Sequence, residues 1–297
     1  MHKIDEWFFP QYTEVYSSLI IQIRILKETI MDKSKYISKI TGHALVLGGS
    51  GGIGSEIVRA LVAHGIEAIS FSYDRNKQRA EALAKELKKH GVKRVFFDRI
   101  NQTDEKDVSR FLECAVKANK KEITVAVNAI GISPNKPLRK QTLDSIGDNM
   151  DDKGWREVFE VNVFGCFIST RAIAMRMKKN KVRGVITLIT STNGINSHSQ
   201  ISAHYDSSKA AQSHMMRIIA EDFSKDGIRI NGVAPGWINT DMNKSLPEKE
   251  RRKEMKKIWS GRFAEPHEIA SMVAFISGTS GSYTYGQDFM IDGGYRG

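Results

Sequence analysis

Tyr205 and Lys209 stand four residues apart in the stretch YDSSK, a spacing that on a helix puts a phenol and an ammonium on one face, one turn from each other. A phenol with its ordinary pKa of about 10 exchanges protons poorly at neutral pH, and a nearby positive charge favours the phenolate. At ~4 Å and an effective dielectric of about 20 that attraction is ~4 kcal/mol, enough to lower the phenol by about two or three units. Such a pair can act as a proton donor or acceptor. Spacing alone does not single it out, because Tyr73 and Lys77 form a second pair of the same kind. What separates the two pairs is the company each keeps along the chain.

The elements that must position these groups come next. The 297 residues, 40% of them hydrophobic, suffice for one large domain with a real core. From residue 43 onward the short β-branched or apolar runs HALVL, EAISFS, RVFF, ITVAV, VITLIT, IRINGV and DFMI alternate with amphipathic stretches such as 76–90. This predicts an α/β protein, a doubly wound parallel sheet with helices on both faces, in a single domain over 41–297. Residues 1–40 read as an accessory helical N-terminal extension: Arg24 interrupts their apolar run and acidic residues surround it, unlike a signal or presequence. A start at Met31, leaving the first stretch without a role in folding, is the alternative.

The first strand, 43–47, runs into LGGSGGIGSEIVRALVAHG, a turn carrying Gly48, Ser50, Gly52, Ile53 and Gly54 followed at once by an amphipathic helix. Glycine lets the backbone turn tightly and lie against a pyrophosphate, and the helix N-terminus offers N–H groups to phosphate oxygens. Strand before and helix after point to a dinucleotide in a Rossmann fold. The net charge of +11 raises the question of a polyanionic partner. The excess is spread thinly over stretches such as 77–93 and 244–257 without aromatic interleaving, so nucleic acid is not the expected partner. Cys114 and Cys166 read as small buried thiols in a reducing, cytoplasmic setting. No metal site is read, and no long apolar run predicts a membrane span.

In this order and over roughly residues 41–297, these motifs resemble the short-chain dehydrogenase/reductase family. Leu47 stands where that family usually has threonine. VNAIG resembles the strand end that buttresses the sheet and borders the cofactor, giving Asn128, Ala129 and Gly131. WREVFEVNVFG resembles the helix that supplies an active-site asparagine, here Asn162, and ITSTNG places the serine at Ser191. The stretch from Ser191 to Tyr205 is longer by one than the family's, so Thr192 stays a second candidate for the hydroxyl. Tyr73 and Lys77 have no such partners and read as incidental. The resemblance implies that Tyr205 protonates a carbonyl oxygen as hydride arrives, Ser191 donates to the developing alkoxide, and Lys209 lowers the tyrosine's pKa and binds the nicotinamide ribose. It also implies that Asn162 holds a water that restores the proton.

Further along, INGVAPGWINTDM resembles the loop that closes over the nicotinamide, implying cofactor contacts from Pro235, Gly236, Ile238 and Thr240. YGQDFMIDGGY resembles the family's last strand, and implies a homo-oligomer, a tetramer or a dimer. Where an acid would pair with the ribose of NAD stands Ser72, with Arg75 close behind, which favours NADPH over NADH; Asp74 is the opposing feature. Asn101 occupies the position of an aspartate that contacts adenine. The region 240–270 is similar in layout to the lid of 3-oxoacyl-[acyl-carrier-protein] reductases, implying an acyl thioester on an acyl-carrier protein as substrate. Lys178, Lys179, Lys181 and Arg183 then read either as docking charges for that carrier or as a solvated helix end. A longer segment between Gly131 and Trp155 borders the expected cleft and leaves open another ketone, sugar, polyketide or alcohol. A non-catalytic nucleotide- or RNA-binding protein of this fold is the third reading.

Overall fold

The computed structural model describes residues 38–199, 201–244 and 246–297, so the expected extension lies almost wholly outside the described residues. All seven predicted strands form: β1 His43–Leu47, β2 Ala68–Tyr73, β3 Arg94–Arg99, β4 Ile123–Asn128, β5 Val185–Ile189, β6 Arg229–Pro235 and β7 Asp288–Ile291. They make one sheet in the order β3-β2-β1-β4-β5-β6-β7, parallel throughout. The chain winds outward from β1 to β3 and then returns to place β4 beside β1. Strand order therefore reverses between β1 and β4, where a doubly wound sheet opens a crevice.

Side-chain alternation along the strands builds two cores. Ala44 and Val46 face α1 (Gly52–Ala63), α2 (Lys77–Lys89) and α8 (Pro266–Ser277), through Ile57, Leu61, Leu83 and Ile269. Leu45 and Leu47 face α3 (Glu105–Asn119), α4 (Trp155–Lys179) and α5 (Ala203–Ser224), through Phe111, Ile173 and Met216. Two short helices, α6 (Asp241–Lys244) and α7 (Glu248–Met255), stand between β6 and α8. Local chemistry starts the helices: Asn76 accepts from the Arg79 N–H, Asp104 from Lys106 and Asp107, and Glu265 with Glu268 forms a capping box ahead of Pro266 at the start of α8. Helix α1 follows Gly51 without a side-chain cap, so its first N–H groups keep their donor capacity.

Helix α4 has the length and apolarity of a membrane span, yet its buried residues, Ser169, Thr170, Ile173 and Met177 among them, pack in the domain. Lys178 and Lys179 end α4, and Lys181 and Arg183 precede β5. They lie at the amino end of the strands, opposite the crevice, and Lys178 pairs with Asp226 at 3.0 Å. The sheet itself separates them from the site, so the docking role is replaced by that of a solvated helix end, where cations suit the macrodipole.

His43 ties three elements together. Fully buried on β1, it bonds the Lys121 carbonyl through Nδ1 at 2.9 Å, and Ser70 Oγ and Asn119 Nδ2 through Nε2 at 2.8 and 3.0 Å. Burial pushes its pKa down to about 4, against which the Lys121 carbonyl bond works. The folded state therefore resists a proton that the unfolded chain accepts below pH ~6.5, so this contribution to stability is present at neutral pH and fades between pH ~6.5 and ~4. Denaturant titrations across that range should show a loss of about 3 kcal/mol in the parent that is missing in His43→Gln.

Candidate active site

Tyr205 enters the crevice from the first turn of α5, and Lys209 follows one turn later on the same face, with its ammonium 5.7 Å from the centre of the Tyr205 ring. Lys209 is 3% exposed, and its Nζ donates to the Ile189 carbonyl at the end of β5 and to Gln212 Oε1, both at 2.8 Å. The expected lowering of the phenol's pKa is not found. Burial pushes Tyr205 up to about 12, opposed by a hydrogen bond with Ser191 and aided by Asp206. Burial likewise brings Lys209 down to about 8, with Cys166 and Asp288 working the other way. Desolvation wins because the ammonium lies over the ring and directs hydrogens at Ile189 and Gln212.

The two candidate hydroxyls at the end of β5, both lining the cleft, make different bonds. Ser191 Oγ accepts from the Asn193 N–H at 3.3 Å and meets the phenol, whereas Thr192 donates to the Pro235 carbonyl at 3.3 Å and ties β5 to β6. The loop beyond is fixed by Asp206, which the sequence reading passed over. Its carboxylate accepts from Asn193 Nδ2 at 2.8 Å, Ser202 Oγ at 2.9 Å and the Ser199 N–H at 2.6 Å. Burial raises its pKa, and these three bonds oppose the rise.

Asn162 sits in a π-helical turn, Glu160–Gly165, inside α4, and is wholly buried. Its Oδ1 accepts from the Ile132 N–H at 2.9 Å, and its Nδ2 donates to the Ile132 carbonyl at 2.9 Å and to Ser208 Oγ at 3.0 Å. Both amide hydrogens are thus committed to protein, and the side chain staples the segment after β4 to α5. Asn128 is a second bolt behind the cleft, joining Gln102 at 3.2 Å, Ser169 at 2.9 Å and the Ile130 N–H at 3.0 Å.

In front of these supports runs one cleft. Ala129, Gly131, Ser191, Tyr205 and Lys209 line it from β4, β5 and α5, and Pro235, Gly236, Ile238 and Thr240 from beyond β6. Ile53 reaches it from α1, while Ser50 and Gly52 border an adjoining groove that Thr240 shares. The Ile238 carbonyl already accepts from the Thr240 N–H at 2.9 Å and Asn243 Nδ2 at 2.8 Å, so its N–H is what it can offer a carboxamide. The turn fits a pyrophosphate: Gly48 has φ +74°, a side chain on Gly54 would collide with the Gly48 carbonyl, and α1 begins uncapped.

The adenosine end differs in detail. Ser72 is 1% exposed and its Oγ accepts from the Gly48 N–H at 2.8 Å, so it braces the turn from behind. Exposed Asp74 lies 3.5 Å from Arg75 and 3.8 Å from Arg99, the residue opposite Tyr73 on β3. Asn101 accepts from Thr103 within its own turn and borders a separate groove with Arg99 and Arg110.

The far wall was only partly foreseen. Ser133 and Asn135, from the longer segment after Gly131, line it as expected, and Lys136 N–H bonds the Ile201 carbonyl at 2.8 Å. Trp237, Asn243 and Tyr295 join them unannounced. Trp237 stacks on Phe263 at 5.2 Å, and Tyr295 donates to Glu254 at 2.6 Å. Trp237 could have been suspected from its place beside Pro235 and Gly236; the tail residue Tyr295 carries no local signal.

Known proteins are similar to this chain in sequence and fold. A family profile described as Enoyl-(Acyl carrier protein) reductase matches residues 48–296. The 3-oxoacyl-[acyl-carrier-protein] reductase FabG of Salmonella typhimurium is 30% identical over 251 residues, 84% of this chain and 96% of the relative. Galactitol 2-dehydrogenase (L-tagatose-forming) of Cereibacter sphaeroides is 30% identical over 258 residues, 85% of this chain and 94% of the relative. Among solved structures, a dehydrogenase/reductase from Sinorhizobium meliloti 1021 superposes with a TM-score of 0.77 at 28% identity, covering 89% of this chain and 99% of the other. A blue fluorescent protein from a metagenomic library, in complex with NADPH, gives 0.74 at 31% identity, covering 86% and 98%. The chain belongs to the short-chain dehydrogenase/reductase family, and is an oxidoreductase of CH–OH and C=O groups that uses a nicotinamide cofactor.

Removing the staple has a definite consequence. Asn162→Ala leaves the Ile132 N–H and carbonyl unpaired and should lower stability by about 2–4 kcal/mol in chemical denaturation, with faster hydrogen exchange at Ile132.

Proposed function

We propose that the protein reduces a 3-oxoacyl thioester, carried on an acyl-carrier protein, to the 3-hydroxyacyl form with NADPH. The observation that carries the chemistry is the meeting of the Tyr205 phenol and the Ser191 hydroxyl in the cleft, with the buried Lys209 ammonium behind them. When bound, the nicotinamide supplies hydride. Tyr205, raised to about 12, is a protonated phenol at neutral pH and thus a ready donor to a carbonyl oxygen. Ser191 donates to the same oxygen as negative charge develops. Lys209 stabilises the phenolate left behind, and its third N–H is available to a ribose hydroxyl. The turn at Gly48–Gly54 and Thr240 hold the phosphates, and the Ile238 N–H meets the carboxamide. Asn162 keeps the cleft floor in place through Ile132.

Support for NADPH is the absence of a carboxylate at Ser72 and the presence of Arg75 and Arg99 at the ends of β2 and β3, with Asp74 tempered by both. The thioester rests on the similarity to acyl-carrier-protein reductases. A homo-oligomer is supported by apolar side chains left exposed in two groups, Phe164, Phe167 and Met175 on α4, and Phe275 and Met290 on α8 and β7. The second reading is a short polyhydroxy ketone. It is favoured by hydroxyl and amide side chains on the far wall, Ser133, Asn135, Ser199 and Asn243, and by the similarity to galactitol 2-dehydrogenase.

Absorbance of NADPH followed with acetoacetyl thioester and with tagatose separates the readings, the thioester being expected to turn over faster. Tyr205→Phe should lose at least ~10²-fold in kcat with either substrate, as removal of a positioned general acid requires. Undiminished turnover in that variant would end the proposal. NADPH should outperform NADH in kcat/KM, and Arg75→Ala with Arg99→Ala should narrow the gap by ~10-fold or more, in line with two lost charge-assisted contacts.

A further inference from the structure

Gln212 lies one turn beyond Lys209 on α5 and is wholly buried. Its Oε1 accepts from Lys209 Nζ at 2.8 Å, while its Nε2 donates to Cys166 Sγ of α4 at 3.0 Å. An ammonium has donors only, so the amide oxygen must be the atom that faces it. The Ile189 carbonyl takes a second Nζ hydrogen at 2.8 Å. An ammonium therefore keeps one N–H for the cleft that Lys209 lines, whereas a neutral amine, with both hydrogens committed, turns a lone pair to it. Protonation decides what Lys209 offers a ligand.

We infer that Gln212 is a positioning residue: oriented by Cys166, its amide oxygen fixes Lys209 Nζ and holds it as the ammonium that presents a single N–H to the ribose. This rests on the function proposed above. The titratable groups facing Nζ are Tyr205 on the same helix, Cys166 on α4 and Asp288 on β7. Asp288 is itself bonded by Thr190 and Ser213, both at 2.6 Å. Burial drives Lys209 toward the neutral amine, down to about 8 with Cys166 and Asp288 working the other way. A charge-assisted bond from a neutral amide opposes that drift without adding a charge, and leaves the remaining N–H aimed at the cleft.

Two variants test this with opposite expected signs. Gln212→Leu keeps the volume and removes the acceptor; Gln212→Glu supplies a full negative charge. The readouts are NADPH binding, followed by tryptophan fluorescence, and kcat/KM for carbonyl reduction, each from pH 6 to 10. Because the competent form is protonated, a lower Lys209 pKa loses function at lower pH. The alkaline limb should move down by about one unit in Gln212→Leu, giving ~10-fold weaker NADPH binding near pH 8.5 with little change near pH 6, and should move up in Gln212→Glu. If Gln212→Leu fails to fold, the direction in Gln212→Glu decides. Limbs unmoved, or moved the same way in both variants, overturn the inference while parental turnover leaves the function standing. A parent that reduces no carbonyl but whose binding limbs move in opposite directions overturns the function and keeps the hold on Lys209.

Discussion

A cation must be kept out of water beside a phenol that lines a cleft, and most of the site follows from that constraint. Burying an ammonium costs several kcal/mol even after relaxation, unless hydrogen bonds of good geometry take the place of its hydration. Lys209 finds them at the end of β5 and on its own helix. The carbonyl of Ile189 is useful only if α5 is fixed against the strand, so the register of the sheet and the seating of α5 become parts of the chemistry. The YDSSK stretch reflects this. Tyr205 and Lys209 face the cleft, Asp206 gathers the loop 193–202, and Ser208 receives Asn162. Four of its five side chains each fix a different wall of one site.

Departures from ordinary local structure gather in the same place. Helices α2, α3 and α8 begin with side-chain caps, whereas α1, facing the crevice, begins without one, as do α4, α5 and α7. A regular α4 would rotate its later residues relative to Asn162; the π-helical turn lets Asn162 point at Ile132 while Cys166, just beyond, points at Gln212. These irregularities are affordable because two apolar layers on either face of the sheet hold the frame.

Much of this frame was legible in the residues. Alternation of apolar runs with amphipathic stretches marked every strand, since a sheet covered on both faces leaves little ambiguity of period. The glycine turn and the order of Asn162, Ser191, Tyr205 and Lys209 marked the cleft. Burial was what the letters concealed. Spacing predicted that Lys209 would lower the phenol, but spacing reports proximity and is silent on desolvation, which set the direction for both groups. The end of the sheet that Lys178 to Arg183 occupy was legible, because residues just ahead of a strand in a parallel sheet lie at its amino end. Gln212 and Tyr295 were missed for a related reason: one looks like an ordinary helix residue and the other like a chain end, and only packing brings them to the site.

The division of labour within the cleft explains how one chemistry can serve different substrates. Ser191, Tyr205 and Lys209 rest on the end of β5 and on α5, whereas the far wall is drawn from Ser133, Asn135, Asn193, Ser199, Trp237, Asn243 and Tyr295, none of which is in a strand. Relatives of equal identity are named for an acyl carrier and for galactitol. Lid and tail are also joined. The Ser260 N–H bonds the Gly293 carbonyl and the Arg296 N–H bonds the Lys257 carbonyl, at 3.0 and 2.9 Å, while Tyr295 holds Glu254 and Arg296 stacks on Trp259. The tail cannot leave the lid without breaking these contacts. Ile238, bridged to Ala264 of the lid, thus belongs to the same packed unit as Tyr295, and both line the one cleft.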